Sequence, residues 1–68
     1  MRPDAPDPVR AFRYDEDRAR LVIRFADGSE VAYVGVPGEV HRSFAEASSK
    51  GRFLDEEITG RFPFNRLS

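Results

Sequence analysis

The chain has 68 residues, with 11 basic against 12 acidic side chains and no cysteine. A chain of this length holds one domain with a thin core, and the lack of cysteine excludes disulfide stapling and a cysteine-based zinc site. A net charge of −1 excludes a strong overall field for nucleic acid or acidic membranes, so any such partner must bind a local patch.

The first eight residues alternate proline with small or charged residues, and they carry too little apolar surface to offset the entropy lost on ordering. We therefore expect a disordered tail over residues 1–8 and a single domain over residues 9–68. The tail lacks the apolar stretch of a signal peptide, and no segment approaches the ~20 apolar residues of a membrane helix. These features favour a cytoplasmic protein with no membrane partner.

Three short strands are predicted before the first helix. In the first, residues 9–14, Phe12 and Tyr14 have the spacing of one strand face, and a charged run, residues 15–18, predicts a turn after it. In the second, residues 20–25, apolar side chains alternate so that one face carries Leu21, Ile23 and Phe25 while the other carries Arg20, Val22 and Arg24. The outer face of this strand thus bears two arginines.

The pattern of the third strand, residues 30–34, does not show which face is buried. A two-residue hairpin loop at Asp27-Gly28 would place Ala32 opposite Ile23 and leave Tyr33 exposed. A three-residue loop with a bulge would place Tyr33 opposite Ile23 and make it a core residue. The second arrangement is favoured because a thin core needs the larger side chain.

A first helix is predicted over residues 37–49, because proline and a nearby carboxylate suit a helix start. Apolar residues then recur at helical spacing, forming a stripe that can cover one sheet face: Val36, Val40, Phe44 and Ala47. Lys50 suits the negative helix end, and Gly51 is expected to end the helix in a left-handed cap.

A second short helix is predicted over residues 52–59, where Leu54 and Ile58 lie one turn apart and Gly60 can close it. The aromatic tail after it is expected to pack back through Phe62 or Phe64. The predicted fold class is α+β, with a three-stranded antiparallel β-meander followed by two short α-helices packed on one sheet face.

No constellation predicts a catalytic or metal site. His41, the single histidine, is expected at the rim of the first helix, and no cysteine or second histidine can join it as a ligand or in a dyad. The acidic residues 55–57 splay around a helix, so a solvated face is favoured over a metal site. We therefore expect no enzyme activity and no cofactor.

Basic and aromatic residues interleave at the C-terminal end: Lys50, Arg52, Arg61 and Arg66 with Phe53, Phe62 and Phe64. Basic groups of this kind can hold phosphates while bases stack on the rings. The competing interpretation, that the aromatics are core and the charges only solubilise the chain, is the stronger one, and the neighbouring acidic residues weaken a basic patch further.

Several residues fit one known pattern in order and spacing: Tyr14-Asp15, Leu21, Ile23, Phe25, Gly28, Tyr33, Val36-Pro37, residues 47–51 and residues 61–64. On these residues the chain resembles the KTSC domain, a short family named after the C-terminal segment of some lysyl-tRNA synthetases and also found as stand-alone bacterial proteins. The family's central motif has two tyrosines separated by one residue. Here Val31 occupies the first position and Tyr33 the second.

The resemblance implies a non-catalytic binding module with RNA or tRNA as the favoured partner. The candidate nucleic-acid-binding residues are then Tyr33, Lys50, Arg52, Arg61 and Arg66. If the paired rings are a stacking surface in the family, this member has lost half of it, and if they are core, valine is a mild replacement. The alternative function is protein–protein interaction or self-association, through an exposed strand edge or the apolar outer face of the third strand.

Overall fold

The computed structural model describes residues 8–68. The elements follow in the order β1 (Val9–Asp15), β2 (Arg20–Phe25), β3 (Glu30–Val34), α1 (Gly38–Glu46), α2 (Lys50–Phe53), a π-helical turn (Leu54–Ile58) and β4 (Phe64–Arg66). The strands form one antiparallel sheet in the order β1-β2-β3-β4. The predicted α+β meander with two following helices is confirmed, and a fourth strand extends the sheet. Of the tail predicted to be disordered, residues 1–7 lie outside the described residues.

A loop of three residues, 26–28, connects Phe25 to its hydrogen-bonding partner Ser29 between β2 and β3. The backbone N–H of Phe25 donates to the Ser29 carbonyl at 2.9 Å, and that of Gly28 donates to the Phe25 carbonyl at 2.9 Å. Gly28 has a φ of +92°, the left-handed conformation that such a loop requires of its last residue. The three-residue loop favoured by the sequence is therefore confirmed.

The register that follows buries Tyr33 but gives it a different partner from the one predicted. Tyr33 pairs with Leu21, while Ile23 pairs with Val31, so the expected pairing of Tyr33 with Ile23 was wrong by two residues. A shift of two residues leaves each side chain on the same sheet face. Tyr33 is accordingly only 5% exposed, as the favoured arrangement required.

The carboxylate of Asp27 in this loop accepts hydrogen bonds from the Ser29 hydroxyl at 2.7 Å and from the Ser29 backbone N–H at 2.9 Å. These bonds, with the hydroxyl first, lower the pKa of Asp27. Because the pKa of Asp27 is lower in the folded state, its ionised carboxylate stabilises the folded protein at pH values above the ordinary pKa. This stabilisation is lost as the pH falls through the pKa of the folded state.

Ser29→Ala is therefore expected to raise the pKa of Asp27 toward its ordinary value, since the hydroxyl donor is removed and the backbone donor stays. The pKa is read from the carboxyl carbon shift of Asp27 in an NMR titration of both proteins. An identical pKa in the variant and the parent would show that the hydroxyl bond is not made in solution.

The core lies between one face of the sheet and the helical segments. Its buried members are Leu21, Ile23, Tyr33, Val36, Phe44, Leu54 and Ile58. Phe44 of α1 is fully buried, and its ring meets those of Phe12 (centroids 4.9 Å apart) and Phe53 (6.1 Å). The sheet residues of this cluster share one face, so the prediction that both helices pack on one sheet face is confirmed.

The first helix ends earlier than predicted. It stops at Glu46, and Ala47 has extended backbone angles, φ −67° and ψ 136°. Gly51 was expected to be the left-handed cap, which was wrong, because it lies inside α2. The extended Ala47 ends the helix instead, and the Lys50 ammonium donates to the Ala47 carbonyl at 3.2 Å.

The second helical segment begins at Lys50 and widens into the π-helical turn, where the Thr59 N–H donates to the Leu54 carbonyl at 2.7 Å. Thr59, with extended backbone angles (φ −63°, ψ 126°), ends the segment, and Gly60 follows it with a φ of +90°, so the prediction that Gly60 itself closes the helix was wrong. Leu54 and Ile58 form the buried face of this segment, as predicted. The expected packing of Phe62 against the core is confirmed.

Candidate functional site

Tyr33, the aromatic member of the predicted site, is a core residue. Its ring lies 5.7 Å from that of Phe64, and its hydroxyl is 3.3 Å from the Thr59 hydroxyl. A ring that is 5% exposed has no free face for a base. Val31, at the first position of the family motif, lies on the same sheet face and packs against the core.

The four predicted basic residues do not line one groove. Arg52 is paired with Glu56, with Nε 3.1 Å from Oε2, and it lines a cleft of about 530 Å³ that Tyr33 also reaches. Arg61 lines a different cavity, which it shares with Glu39 and Glu57.

Lys50 and Arg66 complete the predicted set. The Lys50 ammonium donates a hydrogen bond to the Ala47 carbonyl at the end of α1. Arg66 lies on β4, where its Nε donates to the Ser68 carbonyl at 3.2 Å. The predicted cations are thus separated, and carboxylates accompany both Arg52 and Arg61.

The sheet face opposite the helices carries a different row of arginines. Arg13 of β1 lies opposite Val22 of β2, and Arg20 and Arg24 lie two residues to either side of Val22. We call these three arginines the arginine face. Within residues 8–68, the helices contact the other sheet face, which supplies the core cluster.

Two small apolar side chains lie among these arginines. Val22 is 4% exposed and Ala32, its partner on β3, is 1% exposed, although neither belongs to the core cluster. Arginine stems are long and apolar, and those around Val22 can cover it while the guanidinium groups of the exposed Arg13 and Arg24 stay in water. This arrangement would present those two charges outward.

The charges of the arginine face are only partly neutralised. Arg24 Nε lies 3.2 Å from Glu30 Oε2, whereas Arg13 has no ion-pair partner within residues 8–68. Arg20 Nε is buried and has no hydrogen-bond acceptor in the same part of the chain. A buried donor without an acceptor costs about 1–3 kcal/mol.

None of these three arginines was among the binding residues predicted from the sequence. Arg20 and Arg24 were only placed on the outer face of their strand, and Arg13 was not singled out at all. Its position depends on the pairing of β1 with β2, which includes a register irregularity between Val9 and Ala11. One signal was present, since Arg13 alternates with Phe12 and Tyr14 and so had to point away from the core.

A groove of about 850 Å³ lies between β1 and α1. In it the imidazole of His41 stacks on the ring of Tyr14, with centroids 4.4 Å apart and planes at 8°. Phe12 meets His41 at 6.1 Å and 64°, and the Tyr14 hydroxyl donates to the Val36 carbonyl at 2.6 Å. The expected rim position of His41 is confirmed, because it is half-buried, but the stack was not predicted.

Residues 8–68 contain no group of three or more histidine, cysteine, aspartate or glutamate side chains arranged to hold a metal ion. In the same residues, no helix has the length and apolar character that a membrane crossing requires. The acidic residues 55–57 are exposed, as predicted for a solvated helix face.

The KTSC domain family model matches residues 8–62. The lysine–tRNA ligase of Nostoc punctiforme is 35% identical over 60 residues, which cover 88% of this chain and 11% of the ligase, so the chain spans only a small part of that enzyme. A protein from Tsukamurella paurometabola is 34% identical over 62 residues, covering 91% of this chain and 92% of that protein. The crystal structure of a KTSC domain protein from Yersinia pestis superposes with a TM-score of 0.80 at 38% identity, covering 84% and 80% of the two chains.

Proposed function

Because this chain belongs to the KTSC domain family, we propose that it is a small non-catalytic module that binds RNA through the arginine face. The observation that carries the proposal is the row formed by Arg13, Arg20 and Arg24 on a sheet face that no helix within residues 8–68 covers. The similarity to a segment of a lysine–tRNA ligase supports tRNA as the kind of RNA, with the cytoplasm as the compartment.

The arginine face has the chemistry and spacing for several phosphates. A guanidinium group can hold a phosphate through two parallel hydrogen bonds. Arg20 and Arg24 are four residues apart on β2, a separation of about 13 Å, so they would contact different phosphates. Arg13 lies between them on the neighbouring strand and would contact a third.

The net charge of −1 limits this binding to local contacts and makes it sensitive to salt. Three phosphate contacts correspond to a slope of log K against log salt of about −2 for single strands and about −3 for duplexes. Raising the salt from about 50 to 200 mM is then expected to weaken binding by roughly 20- to 40-fold.

Fluorescence anisotropy with labelled tRNA, and with a mixed single-stranded oligonucleotide, measures this dependence. The expected result is binding at about 50 mM salt that becomes roughly 20- to 40-fold weaker at about 200 mM. A labelled RNA that does not bind even at the lower salt concentration would overturn the proposal.

A second candidate function, a protein–protein contact or self-association, has its own observation. The largest exposed apolar side chains include Phe64 (56% exposed) on β4 and Leu67 (46%) just after it. Strand β4 lies at the sheet edge, and edge strands recruit other chains. Sedimentation velocity over a wide concentration range tests this candidate: a dimer that Phe64→Ser disperses would support it, and a monomer at every concentration would argue against self-association.

A further inference from the structure

The groove between β1 and α1 offers an aromatic surface, which the arginine face lacks. We propose that the stacked rings of His41 and Tyr14 form a platform on which one unpaired base of a bound RNA stacks. This inference rests on the proposed function, since the ligand is the same RNA. It adds a site for the base to the contacts already proposed for the phosphates.

The platform is held in place before any ligand arrives. The Tyr14 hydroxyl donates to the Val36 carbonyl at 2.6 Å, which fixes one end of the tyrosine ring. His41 lies nearly parallel to that ring, at 8°, and Phe12 meets it at 64°. Tyr14 covers one face of the imidazole, so the proposed base would stack on the opposite face. A preorganised ring loses little freedom when it binds.

The charges around the groove favour a base over a backbone phosphate. Two arginines, Arg13 and Arg42, line it, and neither has an ion-pair partner within residues 8–68. Carboxylates line it as well: Glu16, Glu39 and Glu46. A carboxylate repels phosphate but accepts hydrogen bonds from the amino groups of bases. The mixed lining therefore fits the polar edge of a base.

Arg13 lies where the groove meets the arginine face, which is the proposed binding surface for phosphates. It lines the groove and is also a member of the arginine face. An RNA backbone that follows the arginine face would reach Arg13 at the edge of the sheet, where one base could turn toward His41. Bases inside a duplex are already stacked on their neighbours, so this site requires a single-stranded region or a loop.

The test compares His41→Leu, which removes the flat ring, with His41→Phe, which keeps one. His41→Leu is expected to weaken binding of the single-stranded oligonucleotide by roughly 5- to 150-fold, the range for loss of one stacked base. It is expected to leave the affinity for an RNA duplex unchanged, and His41→Phe is expected to restore single-strand affinity. Amide spectra of both variants confirm that they fold.

A direct readout on the parent protein does not depend on any variant. Nuclear Overhauser contacts between base protons and the His41 ring are expected in the complex with the single-stranded oligonucleotide. Equal single-strand affinity in parent and His41→Leu, or no such contacts, would overturn the base site and leave the arginine face intact. Absence of RNA binding by the parent protein at low salt would instead overturn the proposed function.

Discussion

Phe44→Ala is expected to lower the free energy of unfolding by about 3–5 kcal/mol. Phe44 is fully buried, and its ring contacts Phe12 from the sheet and Phe53 from the second helical segment. The substitution would open a cavity where these three parts of the core meet. A chain of 68 residues is expected to have a total stability of only about 3–10 kcal/mol, so this loss would remove a large fraction of it.

Urea denaturation followed by circular dichroism measures this loss, and Leu67→Ala supplies a matched control. Leu67 is 46% exposed, so its truncation is expected to change stability by no more than about 0.5 kcal/mol. A near-neutral Phe44→Ala would mean that α1 presents a different face to the sheet. That result would also move His41 and undermine the groove.

Replacing Arg13, Arg20 and Arg24 together by glutamine is expected to abolish measurable RNA binding at near-physiological salt. The change removes three proposed phosphate contacts. It should therefore make the slope of log K against log salt less steep by about two units. Glutamine keeps part of the apolar stem, so Val22 and Ala32 stay partly covered. The affinity is measured by anisotropy with labelled tRNA.

The control carries the same change of charge on three of the binding residues predicted from the sequence, Arg52, Arg61 and Arg66. Each triple variant loses three positive charges and so changes the net charge from −1 to −4. The control is expected to bind several-fold more weakly than the parent, because of its overall charge, but to keep most of the salt dependence. If the control loses binding and the arginine-face variant keeps it, the RNA site lies at the C-terminal end instead.

The sequence predicted which faces of the strands are buried where apolar and polar side chains alternate. Alternation in β2 identified the core face, and the size of Tyr33 selected the correct hairpin loop. The pairing partner of Tyr33 was wrong because alternation cannot distinguish registers that differ by two residues. Strand β4 was missed because its partner, β3, is distant in sequence, and the short run of residues 64–66 has no periodic signal of its own.

The helix ends were less predictable. Gly51 looked like a cap because glycine adopts a left-handed conformation easily, yet an extended Ala47 ends α1 and leaves Gly51 to the next helix. A glycine permits a left-handed conformation without requiring it. The π-helical turn was not predicted either; it spans Leu54 to Ile58, whose side chains are both buried in the core.

The candidate site depended on tertiary contacts in the same way. The interleaved basic and aromatic residues at the C-terminal end suggested a nucleic-acid-binding surface. In the folded chain, however, Tyr33 is buried, and Arg52 and Arg61 line different cavities. The stack of His41 on Tyr14 joins residues of different elements, α1 and β1, so spacing along the chain could not reveal it.

Chemical-shift mapping of the isotope-labelled chain with tRNA tests the central claim most directly, at about 50 and 200 mM salt. Localised shifts are expected at Arg13, Arg20 and Arg24 and at the amides of Val22 and Ala32, all weakening steeply at the higher salt. No shifts at the lower salt, or shifts confined to residues 50–66, would contradict RNA binding by the arginine face.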